Sequence, residues 1–249
     1  MVQRKKYHWR RDAPDSRDHV YKISTKVSIP DLVDLRPYDT AIEDQGNLGS
    51  CTGCAIAAAY EIVLKKTRTP IDVSKLFIYY QERLLEGTVN YDSGSTIRTG
   101  IKSVYKFGAP LENLWPYVIA NYTTQPSTAA YSDALNRRVT EYQRCGGFAE
   151  VRNSLASGYP VVIGFDVYSS FETDRVAKTG IMPYPNTRRE QYLGGHAVTI
   201  VGYRNKDNRF ICKNSWGPSW GDKGYFYMPY KVIQNPGMSG DFWVIKSIM

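Results

Sequence analysis

A loop of small and polar residues leads directly into an apolar segment, and this junction limits the fold more than any other part of the sequence. The loop spans residues 45–51 and reads QGNLGSC; residues 52–66 follow with alanine, isoleucine and valine around most of a helix circumference. A helix that is apolar on nearly all sides is stable only between other layers of the fold. The sequence therefore predicts a central, buried helix that carries Cys51 at its start.

The position of Cys51 favours a nucleophilic thiol. The unpaired N–H groups at a helix N-terminus carry about half a positive charge, so the pKa of a thiol there can fall from about 8.5 to roughly 3.5–7.5. Gln45 lies six residues earlier, while His196 and Asn214 follow in the segments GGHAV and KNSWGPSWG. A cysteine, a histidine and an asparagine in this order, with a glutamine ahead, point to acyl transfer by a covalent thiol nucleophile.

The other three cysteines predict neither a metal site nor a disulfide. Cys54 forms a C-x-x-C pair with Cys51, but no second pair or nearby histidine completes four zinc ligands. Cys54 and Cys212 are therefore interpreted as small core residues. Nothing in the sequence demands a disulfide, and the basic N-terminus leads into no apolar stretch typical of a signal peptide. A reducing intracellular compartment is favoured, with non-classical secretion and virion packaging as the alternatives.

Charge and hydropathy exclude two classes of partner. The net charge is +8, and residues 1–26 hold eight basic and three acidic side chains. A basic tail can bind nucleic acid, but no known nucleic-acid-binding signature accompanies this one, and no such partner is expected. No run of 18 apolar residues occurs, so no membrane span is predicted.

Hydrophobic periodicity divides the chain into a mainly helical first half and a β-rich second half. Residues 1–29 lack periodicity and form an N-terminal extension. Helices are predicted from Cys51 to Thr69-Pro70, from Asp72 or Ser74 to Gly87, from Ser95 or Thr96 to Gly108, and at 127–137 and 150–157. Strands are predicted at 139–142, 161–167, 196–203, 209–213, 225–228 and 242–248. This order predicts two subdomains, residues 30–118 and 119–249, with a cleft between them.

Three motifs together resemble the papain-like cysteine peptidases. They are the loop at 45–51, the segment His196-Ala197-Val198, and the segment 214–221, NSWGPSWG. The resemblance covers roughly residues 30–249. It implies an α+β fold with a helical left half and a β-rich, barrel-like right half, and an active-site cleft between the halves.

The resemblance also implies a role for each motif residue. Cys51 is the nucleophile that forms a thioester acyl-enzyme, and His196 is its acid and base. Asn214 orients the imidazole, and Trp216 shields that hydrogen bond from water. The Gln45 amide and the Cys51 backbone N–H form the oxyanion hole. No cofactor is implied.

The sequence departs from the family pattern at a disulfide that the family usually has. Leu48 and Asp92 stand at the two cysteine positions, so the whole bridge is absent. Thr52 replaces the aromatic residue that usually follows the nucleophile. The alignment around Asp92 places the substrate-binding residues, with an apolar second specificity pocket, at Gly94, Ser95, Thr96, Ile97 and Ala197.

The function predicted from these residues is that of a cysteine endopeptidase acting as a monomer on a protein or peptide substrate, with an inhibitor protein as a further candidate partner. Fewer than 30 residues precede the match, so the family's long helical propeptide is not expected. Residues 1–29 are instead expected to lie across the cleft as a short propeptide, with Trp9 or Tyr21 in a specificity pocket. Two alternatives stay open: a papain-like binding protein with an unused nucleophile, and a thiol-dependent transpeptidase or ligase.

Overall fold

The computed structural model describes residues 6–66 and 71–249, which form an α+β fold. The described helices are α1 (Cys51–Lys65), α2 (Lys75–Glu86), α3 (Ile97–Phe107), α4 (Thr128–Ala134), α5 (Phe148–Ala156), α6 (Asp174–Thr179) and α7 (Tyr230–Gln234). The described strands are β1 (Trp9–Arg10), β2 (Leu32–Asp34), β3 (Ser95–Thr96), β4 (Val139–Cys145), β5 (Val161–Tyr168), β6 (Tyr192–Arg204), β7 (Arg209–Lys213), β8 (Tyr225–Pro229) and β9 (Ser239–Ile248).

Seven strands form one antiparallel sheet in the order β4-β9-β5-β6-β7-β8, with β2 paired to β6 beside that path. The α+β class predicted from the sequence is confirmed. The barrel-like part of the prediction needs correction, because the two ends of the path, β4 and β8, do not pair within the described residues. The sheet is open, and helices and loops cover its faces.

The helical half follows the capping signals in the sequence. The Ser74 side chain accepts a hydrogen bond from Phe77 N at the start of α2, and Gly87 ends that helix in the left-handed conformation. Thr96 caps α3 in the same way, and Gly108 ends it. These polar side chains satisfy N–H groups that a helix start leaves unpaired. The predicted end of the first helix at 69–70 lies outside the described residues.

Helix α1 is the buried centre of the fold, as its apolar circumference predicts. All its residues from Cys51 to Leu64 are buried. The helix packs on α2 and α3 on one side and on β5, β6 and β9 on the other. The Thr199 hydroxyl on β6 donates to the Ala55 carbonyl at 2.6 Å, which joins the sheet directly to the helix. This contact fixes the start of α1 against the strand that carries His196.

The shortest helices and strands could not be predicted from the sequence. Strands β1 and β3 have two residues each, and α6 and α7 have six and five. A periodic pattern needs a longer window than these elements provide. No helix in the described ranges is long and apolar enough to cross a membrane.

Candidate active site

Cys51 is the first residue of α1 and lies under residues of the N-terminal segment. Its side chain has no exposed surface. Burial raises the pKa of the Cys51 thiol to about 11, and backbone hydrogen bonds with Ala197 and His8 act in the opposite direction. The sequence-based expectation of a lowered pKa is therefore wrong for this covered state, because exclusion of water outweighs the helix N-terminus.

His196 on β6 is held by Asn214 and Trp216. The His196 Nε2 atom lies 2.9 Å from Asn214 Oδ1, and the Trp216 ring stacks on the imidazole at 5.1 Å with an angle of 26°. All three side chains are buried. A hydrogen bond on one ring nitrogen fixes the orientation of the imidazole.

Gln45 is joined to this group through Ser215. The Ser215 hydroxyl donates to Gln45 Oε1 at 2.6 Å, and the Ser215 backbone N–H donates to Asn214 Oδ1 at 2.9 Å. Gln45 Nε2 donates to the Leu48 carbonyl at 2.9 Å. An amide nitrogen carries two N–H bonds, so this contact engages only one of them. Ser215 had no role in the sequence analysis, although it lies inside the motif around Asn214.

The N-terminal segment crosses the cleft over these residues. Strand β1 pairs in parallel with β3, so that Trp9 faces Ser95 and Arg10 faces Thr96. His8 forms a parallel bridge with Gly195 on β6. The segment thus contacts both the helical side and the sheet side of the cleft. Two of the predicted substrate-binding residues, Ser95 and Thr96, pair with the protein's own chain.

The other three predicted substrate-binding residues also face the segment. Gly94 approaches the His8 carbonyl so closely that a Cβ on Gly94 would lie 2.0 Å from its oxygen. Ile97 and Ala197 belong to the buried apolar cluster that contains Trp9 and Cys51. The structure therefore brings all five residues together around one stretch of peptide.

Trp9 and Tyr21, the two aromatic candidates for a specificity pocket, lie in different places. Trp9 is buried in the cleft, with its indole against Gly164 and Gly195 of the sheet. Tyr21 lies in the core of the sheet half, where its hydroxyl donates to Asn153 Oδ1 at 2.9 Å. The N-terminal segment therefore buries Trp9 in the cleft and Tyr21 in the core of the sheet half.

Asp92 joins the two segments that the missing disulfide would have linked. Its carboxylate accepts hydrogen bonds from Gly49 N at 3.0 and 3.1 Å and from the Tyr79 hydroxyl at 2.5 Å. Lys6 of the N-terminal segment contacts the same carboxylate at 2.7 Å. Burial alone would raise the pKa of Asp92, but these hydrogen bonds outweigh it and hold the pKa below its usual value.

The carboxylates of Glu43, Glu61 and Asp72 are close enough together to be considered as metal ligands. The Lys75 ammonium lies among them, 3.2 Å from Glu43 and 3.2 Å from Glu61, and also pairs with Asp72. The Lys75 ammonium already places a cation among these carboxylates. The cluster is therefore an ion-pair network, from the buried Glu61 to the exposed Asp72, that does not fit a metal.

Comparisons with known proteins identify the family of this chain. A family model described as "Papain family cysteine protease" matches residues 29–243. An uncharacterized peptidase C1-like protein of Acanthamoeba polyphaga mimivirus is 38% identical over 94% of this chain and 85% of its own. Cathepsin K of Mus musculus is 28% identical over 84% of this chain, which spans 63% of that protein. The crystal structure of xylellain, a cysteine protease from Xylella fastidiosa, superposes with a TM-score of 0.92 at 38% identity and covers 100% of this chain and 99% of its own.

Proposed function

The chain belongs to the papain family of cysteine proteases, and we propose that it is an endopeptidase with Cys51 as nucleophile, held inactive by its own N-terminal segment. The single observation that carries the proposal is the convergence of Cys51, His196, Asn214 and Gln45 beneath a stretch of the protein's own peptide. A cleft that binds one extended peptide between these groups has the geometry to bind a substrate.

The chemistry follows from the contacts of each side chain. The Cys51 thiolate attacks the substrate carbonyl, and the developing oxyanion accepts hydrogen bonds from the Gln45 amide and the Cys51 backbone N–H. His196 then protonates the leaving amine, while Asn214 Oδ1 holds the ring through Nε2. Water hydrolyses the thioester with His196 as base, which releases the acid and restores the thiol.

The N-terminal segment blocks this chemistry in two ways. It occupies the cleft, because His8 lies against Cys51 and Trp9 fills the adjoining pocket. It also keeps water from the sulfur. With a pKa of about 11 for Cys51, roughly one molecule in ten thousand carries a thiolate at pH 7. Release of the segment exposes the start of α1 to water and lets the pKa of the thiol fall.

The proposal is tested by replacing Cys51 and its neighbour Cys54 in turn. Both side chains are buried cysteines on α1, so they form a matched pair. In the chain with Trp9→Ala, we expect Cys51→Ala to lower hydrolysis of a fluorogenic peptide by roughly 10⁴-fold or more. We expect Cys54→Ala to retain activity within about threefold, because Cys54 has no part in the acyl transfer.

A peptide epoxide followed by mass mapping supplies the second readout, with the adduct expected on Cys51. An adduct on another residue, or hydrolysis unchanged by Cys51→Ala, contradicts the proposal. Product analysis in the presence of an added amine peptide separates hydrolysis from ligation. A protein that is folded, has its cleft free and yet neither reacts with the epoxide nor cleaves any peptide is a binding protein.

A further inference from the structure

Resting on the proposed function, the geometry points to Cys54 as a resolving thiol for Cys51. After a peroxide has oxidised the nucleophile, Cys54 closes a disulfide with it, and this bond stores the enzyme in an inactive form that a thiol reductant reactivates. Cys54 has no role in peptide hydrolysis, and the sequence analysis interpreted it only as a small core residue. Its function is to protect Cys51 from irreversible oxidation.

The separation of the two cysteines suits a disulfide. Cys51 and Cys54 lie in the first turn of α1, three residues apart, and both are free thiols. Residues three apart are neighbours on one face of a helix. A rise of about 1.5 Å per residue at a radius of about 2.3 Å puts their Cα atoms about 5 Å apart. Disulfides join Cα atoms that are roughly 4.4–6.8 Å apart, so the helix holds the pair ready without movement of another element.

Both side chains lie on the side of α1 that packs against Ala197 of β6. The Ala197 backbone hydrogen-bonds with Cys51, and Cys54 lines a cavity of about 10 Å³ together with Ala197 and Asn214. Ser50 Oγ lies 4.0 Å from the Cys54 sulfur. A thiol is a weak hydrogen-bonding group, so this contact holds Cys54 only loosely. The cavity gives its sulfur room for the change of rotamer that a bond to Cys51 requires.

The two thiols differ in their access to a peroxide. Cys51 stands at the helix N-terminus and faces the cleft once the N-terminal segment lifts, and the positive end of the helix then stabilises its thiolate. Cys54 lies inside the fold, where burial raises the pKa of its thiol. This difference fixes the order of the reaction, because Cys51 is oxidised first and Cys54 attacks it from within the fold.

The reaction takes two steps. The Cys51 thiolate attacks one oxygen of hydrogen peroxide, the O–O bond breaks and hydroxide leaves, which gives a sulfenic acid. The Cys54 sulfur then attacks the sulfenic sulfur, the S–O bond breaks, and the leaving hydroxyl takes the Cys54 proton and departs as water. The two thiols together lose two electrons, and the peroxide gains them. A dithiol returns those electrons by thiol–disulfide exchange.

The first test maps the oxidation products in the chain with Trp9→Ala, which uncovers Cys51. The chain is treated with hydrogen peroxide, free thiols are blocked, and the digest is analysed without reduction. We expect a disulfide between Cys51 and Cys54, seen as the loss of two hydrogens with neither sulfur blocked, and the return of both thiols after dithiothreitol. This measurement needs no substitution at position 54, so it does not depend on how a variant folds.

The second test measures the recovery of peptide hydrolysis. Excess peroxide should inactivate the Trp9→Ala chain, and dithiothreitol should restore most of the initial rate. With Cys54→Ala added, the sulfenic acid has no partner and is oxidised further to a sulfinic acid that thiols do not reduce, so we expect recovery to fall by about fivefold or more. Cys212→Ala is the matched control, since it removes another buried free thiol, and recovery should be unchanged.

The outcomes separate the two claims. An enzyme that hydrolyses peptides but takes up two oxygens at Cys51, while Cys54 stays a free thiol, overturns the inference and leaves the proposed function intact. A disulfide from Cys51 to Cys145 or Cys212, or equal recovery with and without the Cys54 thiol, also overturns it. If the Trp9→Ala chain cleaves no peptide and Cys51 does not react with a peptide epoxide, the proposed function fails, and the inference fails with it.

Discussion

The two parts of the N-terminal segment are held by different forces. Residues 7–10, which we call the plug, bind mainly by apolar packing and backbone pairing. Tyr7 meets His196 and Trp216 edge-on, and the Trp9 ring packs against Gly164 and Gly195. Tyr7 and Arg10 also contact Glu172 and Glu86, both at exposed positions. Residues 12–21, which we call the anchor, bind through charged and backbone hydrogen bonds. Asp18 accepts from Arg98 at 2.6 and 2.8 Å and from Arg144 at 2.9 Å.

The anchor satisfies its polar groups more fully than the plug does. Asp12 accepts from Trp243 Nε1 at 2.8 Å and from Arg98 N at 3.1 Å, and its own N–H donates to Asp241 at 2.7 Å. The plug leaves Trp9 Nε1 buried without a partner among the described residues. A folded protein opens locally in the region where the fewest stabilising interactions have to be broken. The comparison therefore teaches that the plug can lift from the cleft while the anchor keeps the segment attached.

The largest expected effect comes from removing the side chain at the centre of the plug. Replacing a buried tryptophan by alanine costs about 3–5 kcal/mol, so Trp9→Ala should raise the alkylation rate of Cys51 at pH 7 by roughly 10²–10⁴-fold. The melting temperature should change less than this cost suggests, because the anchor stays docked. The rate is measured with iodoacetamide and mass mapping.

Val20 provides the control for Trp9→Ala, because it belongs to the anchor and is 67% exposed. Val20→Ala should leave the alkylation rate unchanged. An unchanged rate for Trp9→Ala itself would mean that the plug does not limit access to the sulfur.

A smaller effect on reactivity, and a larger one on stability, is expected from the anchor. Asp18→Asn removes the charge that is shared by two arginines, Arg98 on α3 and Arg144 on β4. Hydrogen bonds to charged groups contribute about 1.5–3 kcal/mol, which corresponds to a fall in melting temperature of about 3–10 °C for a chain of this size. The alkylation rate should rise by less than about threefold. Equal rises for Asp18→Asn and Trp9→Ala would show that plug and anchor move as one body.

Much of the site could be predicted because its signals are local. Cys51, His196, Asn214 and Gln45 each stand in a short motif, and their order along the chain indicated a shared site. The caps at Ser74 and Thr96 are likewise local hydrogen-bond patterns, and both occur where the sequence indicated. A side chain that accepts a hydrogen bond from the backbone three residues later can be predicted from the sequence alone.

The rest depends on contacts between distant segments. The plug consists of one two-residue strand and single side chains whose partners lie more than 40 residues away, such as Cys51 for His8 and Ser95 and Gly195 for Trp9. Hydrophobic periodicity does not predict pairing between such distant residues. The direction of the Cys51 pKa was missed for the same reason, because it depends on burial by a segment whose position the motif does not contain. The sequence analysis interpreted Asp92 only as the position of a cysteine that this chain lacks. Its carboxylate in fact joins Gly49 of the loop before α1 to Lys6 of the N-terminal segment.

The smallest expected effect is the pH dependence of the anchor, which has two opposing sources. Burial and the charge of Asp12 raise the pKa of Asp241 from 3.8 to about 6. The folded state therefore favours the protonated acid, and the stability that Asp241 contributes is complete below pH 3.8 and is lost as pH rises through 6. The pKa of Asp18 is shifted in the opposite direction. Burial alone would raise its pKa, but Arg98 and Arg144 outweigh burial and hold the pKa below 3.8, so its contribution is lost as pH falls below that value.

These signs predict opposing contributions of Asp241 and Asp18 to the pH dependence of the melting temperature, which declines below about pH 4 (the acid limb) and between about pH 5 and 7 (the neutral limb). Burial also raises the pKa of Glu61 and Glu112 to about 7, so these groups add to the neutral limb. Asp241→Asn should therefore reduce the neutral limb by about 2–5 °C and leave the acid limb unchanged. Asp18→Asn should remove part of the acid limb and leave the neutral one. Asparagine suits position 241, because the backbone φ there is 55° and asparagine tolerates the left-handed region. Melting curves of the two variants and the native chain from pH 3 to 7 test both assignments.

The alkylation rate of Cys51 supplies a second measurement on the same samples. After correction for thiol ionisation, this rate should not follow the ionisation of Asp241, since Asp241 holds the anchor through Asp12.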